Sequence, residues 1–164
     1  MIATRLLFVA IPAVIATFGC YHPRYVAVQP IAADSASGVI AITGTTFEQQ
    51  IILRTVNSTE LLSAHAADSA ALSRMGGVEV SLVGLRTDRT FNVRSFRAVR
   101  VAGAPVVDGI LRSDGDRIVL ETSSGRLSLG NPPAQLRKLV GARVWIGGPL
   151  DTGPNTFGVI TPAS

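Results

Sequence analysis

Residues 72–84, Leu-Ser-Arg-Met-Gly-Gly-Val-Glu-Val-Ser-Leu-Val-Gly, return as residues 136–148, Leu-Arg-Lys-Leu-Val-Gly-Ala-Arg-Val-Trp-Ile-Gly-Gly. Leu72, Met75, Gly77, Val80, Leu82 and Gly84 stand opposite Leu136, Leu139, Gly141, Val144, Ile146 and Gly148. Apolar positions that recur with their glycines mark one structural unit used twice. Upstream, Ile51-Ile52-Leu53 matches Ile118-Val119-Leu120, and Gly44 is matched to Gly109. The offset between blocks changes, as insertions in loops produce. The second unit is expected to have the longer first turn, at Ser113-Asp114-Gly115-Asp116, and the first the longer segment near His65 to Asp68.

Each unit reads as strand, hairpin, strand, short strand, helix, strand, loop, strand. In the second, Val106 to Arg112 is a strand and Asp114-Gly115 a hairpin turn. Arg117 to Thr122 alternates, Ser124-Gly125 turns into Arg126 to Leu129, and Asn131 is placed to cap a helix beginning at Pro132-Pro133. Residues 142–148 and 156–161 complete it. The first unit follows with strands near 38–44, 47–56, 59–63, 78–84 and 91–101, and a helix near 68–75. The fold class is therefore all-β. Five strands with a helix between the third and fourth resembles the OB-fold, a small Greek-key barrel. That resemblance covers residues 38–162 and implies two tandem five-stranded barrels, 38–103 and 104–164, each with one short helix. Units of about 60 residues have marginal cores, so the copies are expected to pack together.

Ahead of the body, Arg5 precedes the apolar run Leu6 to Ala16, followed by Thr17-Phe18-Gly19-Cys20. A positive start, a short apolar stretch and a small residue at the cut is the export pattern. The segment resembles the bacterial lipoprotein signal, which implies lipid attachment at Cys20; Thr17 and Phe18 depart from its usual residues. Residues 1–19 are thus a signal peptide or an uncleaved apolar membrane-anchor helix, and 20–37 a tether. Either way the body is expected outside the cytoplasm, on the periplasmic side of a bacterial membrane and attached to it. With one cysteine, no intramolecular disulfide can form.

Chemistry is sparse. Ser63, His65 and Asp68 have the residue types of a hydrolase triad, without a nucleophile elbow or oxyanion-hole element. Asp108, Asp114 and Asp116 lack calcium-loop spacing, and Cys20, His22 and His65 give no zinc spacing. No catalytic residue, metal or cofactor is assigned, and the chain is read as non-catalytic. Its net charge of +4 is carried almost wholly by arginine, Lys138 being the only lysine. Aromatic residues are 5% of the chain, too few for the stacking platforms of single-strand nucleic-acid binders.

Two features suggest partners. Arg86, Arg89, Arg94, Arg97 and Arg100 crowd one hairpin of the first unit, opposed locally only by Asp88. Arginine meets carboxylates and phosphates bidentately, so this hairpin suits an acidic protein face or anionic lipid. Trp145 points away from inward-facing Val144 and Ile146, toward the sister unit, the tether or an external partner. The expected function is a membrane-anchored scaffold or accessory subunit of a membrane-protein complex. A ligand- or glycan-binding envelope lipoprotein is the alternative; a deep groove lined with aromatic and polar groups favours it, and a flat apolar patch near Trp145 favours the scaffold.

Overall fold

Alternation of inward and outward side chains runs through the first seven residues of Asp34–Gly44 (β1) and through Val78–Arg86 (β4), placing Ile40, Val78, Val80 and Leu82 inside. The computed structural model describes residues 33–45 and 48–163, which form one compact unit. The leader, Cys20 and most of the expected tether lie outside the described residues. The tether ends earlier than expected, because residues 34–37 already pair with β4 as part of β1.

The remaining elements of the first half are β2 (Gln49–Arg54), β3 (Thr59–Ser63), α1 (Ala66–Ser73) and β5 (Thr90–Val101). The second half comprises β6 (Ala104–Asp114), β7 (Arg117–Thr122), β8 (Gly125–Leu129), α2 (Ala134–Arg137), β9 (Arg143–Gly147) and β10 (Thr156–Thr161). The all-β reading holds, and the order of strands and helices is the one expected. Among the described residues, pairing links all ten strands, antiparallel except for β3 with β5. In the first half the pairings form a circuit: β1 with β2, β2 with β3, β3 with β5, β5 with β4 and β4 with β1. The second half repeats four of these five, as β6–β7, β7–β8, β9–β10 and β6–β9. In place of the fifth, Gly130 N–H donates to the Leu150 carbonyl, in the Pro149–Pro154 loop. Neither proline has an N–H to donate to a ladder.

The correspondence between halves extends to single hydrogen bonds. Gly77 N–H donates to the Ile40 carbonyl, and Gly141 N–H to the Leu111 carbonyl, at 2.9 and 2.8 Å. Met75 N–H meets the Leu72 carbonyl as Leu139 N–H meets that of Leu136. A bulge recurs too: register shifts leave Val99 in β5 and Ile160 in β10 without an opposite residue. Three expectations fail. Gly38, not Gly44, corresponds to Gly109, since Gly38 pairs with Val80 and Gly109 with Val144. At both positions a Cβ would run into a carbonyl of the neighbouring strand, that of Arg54 or Glu121. The longer first turn also belongs to the first half, where the paired residues closing it are Gly44 and Gln49 rather than Asp114 and Arg117. Nor does Asn131 cap α2; Pro133 holds the N-cap position and Asn131 takes a positive φ of 34°.

Each half has its own core, around Leu53, Leu72, Val80, Leu82 and Phe91 in the first and Leu111, Leu120, Leu136, Val144 and Ile146 in the second. The cores are not independent. Bulged Ile160 is fully buried in the first core, and Trp145 and Val106 pack against it. Strand β9 therefore sends Val144 and Ile146 into one core and Trp145 toward the other.

The halves join at Val101-Ala102-Gly103-Ala104, where Ala102 has φ 47° and Gly103 φ 81°. Positive φ at both central residues is the geometry of a two-residue hairpin turn that favours Asn-Gly. Alanine in that region is strained by contact of its Cβ with the following carbonyl. Ala102→Asn should therefore stabilise the protein by about 0.5–1 kcal/mol, read as a raised denaturant midpoint at unchanged slope.

Candidate functional site

Strand β5 positions the site. Phe91 and Val93 point inward, then a register shift inserts Arg94, after which Phe96 and Ala98 point inward, and the second bulge inserts Val99. Two bulges turn a period of two into steps of three, which is how Arg94, Arg97 and Arg100 all come to be exposed.

The arginine hairpin is less cationic than its sequence suggests. Arg86 pairs with Glu60 of β3 at 3.2 Å, its backbone N–H donates to Asp34, and its guanidinium lies 5.5 Å from the Phe91 ring centroid. Arg100 pairs with Glu79 on β4 at 3.1 Å. Opposition by Asp88 alone is thus corrected: partners from β1, β3 and β4 arrive across the sheet. Arg89, Arg94 and Arg97 are exposed and form no ion pair among the described residues.

On its edge away from β4, β5 is held by β3 as far as Asn92 and by β6 from Arg100. Between these points two side chains of the second half meet its backbone. Asp108 on β6 accepts the Ala98 N–H at 3.0 Å, and Arg143 on β9 donates through Nη2 to the Phe96 carbonyl at 2.6 Å. Arg143 Nη2 also donates to Asp108 Oδ2 at 2.8 Å, and its guanidinium stacks 4.5 Å from the Phe96 ring centroid. The pair is largely enclosed, with 27% of the Arg143 side chain and 11% of Asp108 exposed. An acceptor and a donor thus stand where a neighbouring strand would be, satisfying backbone groups that are costly to leave unmet.

A groove of about 590 Å³ opens above this pair, between β4 and β5 on one side and β6 and β7 on the other. Ser81, Ser95 and Arg97 line the first wall, and Glu121, Thr122 and Ser123 the second, with Arg143 and Asp108 between. Glu121 is already engaged by Arg112 at 3.1 Å and Arg126 at 3.7 Å. A smaller cavity of about 310 Å³ adjoins it beyond Arg97.

Of the residues singled out in the sequence, Arg97 lies in the groove, Arg86 and Arg100 are in ion pairs, and Arg89 and Arg94 are elsewhere on the surface. Trp145 is half-buried against the first core, its indole lying on Gly158. Among the described residues the exposed large apolar ones are Val39, Val56, Leu61, Val83, Leu127 and Val140, none of them beside Trp145 in its strand. Ser63 ends β3, His65 precedes α1 and Asp68 is in its first turn; no side-chain hydrogen bond joins them among the described residues. No group of three potential metal-ligating side chains occurs among the described residues, and no helix there is long and apolar enough to cross a membrane.

Sequence reasoning weighed Asp108 only as a calcium ligand and missed Arg143, and with it their pairing. Each is a lone charge in an apolar strand, Val-Val-Asp-Gly-Ile-Leu (106–111) and Ala-Arg-Val-Trp-Ile-Gly (142–147). Such charges are rarely enclosed unless paired, and that was the available signal. No family model, no curated protein and no solved structure matches this chain.

Proposed function

We propose that the chain is a non-catalytic, membrane-tethered binding protein acting outside the cytoplasm, made of two OB-like barrels with its ligand in the groove between them. The observation that carries this is the groove itself, jointly walled by both halves, lined by charged and hydroxyl side chains set among apolar ones such as Val83, Phe96 and Ile110, and floored by a guanidinium held in place from three sides. The OB-like assignment is supported by the circuit β1–β2–β3–β5–β4–β1 with α1 between β3 and β4, the connectivity of a closed five-stranded Greek key. Extracytoplasmic placement rests on the Arg5 to Cys20 leader. Intact-mass measurement of the native protein tests it: a diacyl or triacyl adduct on Cys20, or an intact N-terminus in the membrane fraction, is expected. A cytoplasmic, soluble chain with an unmodified leader contradicts it.

A second reading, a scaffold or accessory subunit of a membrane-protein complex, is favoured by Arg94 and Arg97, exposed and without ion-pair partners among the described residues. Reversal of both to Glu should then abolish co-purification of that complex in mild detergent. It should change folding stability by only about 0–1 kcal/mol, as exposed charges do. Co-purification that survives the reversal removes the residue-level support for the scaffold.

A further inference from the structure

The chemistry of the groove narrows what it holds. Arg143 uses a single nitrogen, Nη2, for both Phe96 and Asp108, while Nε and Nη1 have no hydrogen-bond partner among the described residues. The Phe96 stack fixes the guanidinium plane, and the exposed part of the side chain lies on the groove. Arg97 lines the same groove and has no hydrogen-bond or ion-pair partner among the described residues. A guanidinium with open donors and a fixed plane recognises oxyanions bidentately.

Two further features choose among oxyanions. Asp108 and Glu121 line the same groove, so a dianionic phosphate would meet two carboxylates, whereas a monoanion meets less repulsion. Ser81, Ser95 and Ser123 present hydroxyls with no partner among the described residues, matching a ligand rich in its own hydroxyls. The volume of about 590 Å³ lies within the range of small-molecule sites, about 300–1,000 Å³.

From these observations, and resting on the binding reading of the groove, we infer that it takes a polyhydroxylated monocarboxylate of the uronic-acid type, its carboxylate between Arg97 and Arg143. The test is calorimetric titration of the full chain in mild detergent with galacturonate, which carries one carboxylate, with neutral galactose and inorganic phosphate as comparison probes. Saturable binding of galacturonate is expected, at least tenfold tighter than galactose. It should fall at least tenfold in Arg97→Ala, whose melting temperature stays at the wild-type value, and in Arg143→Lys, which keeps the charge beside Asp108 but loses the fork. Equal binding of the neutral sugar, binding of phosphate alone, or binding unchanged in Arg97→Ala each overturns the inference. So does no binding of any probe. The broader reading is checked separately by mass spectrometry of the native protein, where a small molecule lost on filling the groove with Ser95→Trp upholds the groove as a site. Native protein that carries none, alongside no binding of any probe, defeats both.

Discussion

Arg143→Ala is expected to lower folding stability by about 2–3 kcal/mol, the largest effect of any single charge removal in the body. Paired charges that lose a partner while enclosed cost about 3–5 kcal/mol; the 27% exposure of Arg143 moves the expectation below that range. Three interactions disappear together: the Asp108 pair, the bond to the Phe96 carbonyl and the stack on its ring. Asp108 keeps the Ala98 N–H, so Asp108→Asn, which retains an acceptor, should cost less, about 1–2 kcal/mol. Arg112→Ala is the control, since its pair with Glu121 is about half exposed and should contribute about 0–1 kcal/mol. Urea unfolding of the three variants separates these values. A loss at Arg143 no larger than at Arg112 would mean that the enclosed pair does not join the halves.

Trp145→Ala should cost about 3–4 kcal/mol, within the range for large-to-small changes in packed sites. The indole lies between Gly158 and the first core, so its loss empties a site built by both halves. Gly158→Ala tests the same contact from the other side. Its new Cβ would fall 2.5 Å from the indole Cε2 and Nε1, forcing the ring to move, at about 1–3 kcal/mol. Because Trp145 is the only tryptophan, its fluorescence should change in Gly158→Ala. An unchanged emission and midpoint would place the ring in solvent.

The repeat was legible because the backbone dictates its residues locally. Gly77 and Gly141 sit at φ 82° and 92°, a region that excludes most side chains, and Leu72 and Leu136 are fully buried. The match of Gly44 to Gly109 misled for the complementary reason. The true counterpart, Gly38, is required by a close approach across the sheet, and the different hairpin lengths conceal the offset. The arginine cluster was overread because Glu60 and Glu79 reach it from other strands, contacts set by pairing rather than by sequence proximity. Asp108 and Arg143 stand out as lone charges in apolar strands, but that they pair with each other was hidden for the same reason. The pair joins strands that are neighbours only once β6 pairs with β9, and it meets β5 only because β5 leaves β6 after a short contact.

A groove walled by both halves exists only while the halves are locked together, and differential scanning calorimetry of the intact chain tests that most directly. Ile160 in the first core, Trp145 against it and the Arg143 bond to β5 predict one transition whose calorimetric and van't Hoff enthalpies agree. Arg143→Ala should move that single transition to lower temperature without splitting it. Two resolved transitions in the wild-type protein, or a calorimetric enthalpy well above the van't Hoff value, would show that the halves unfold separately and contradict a jointly built site.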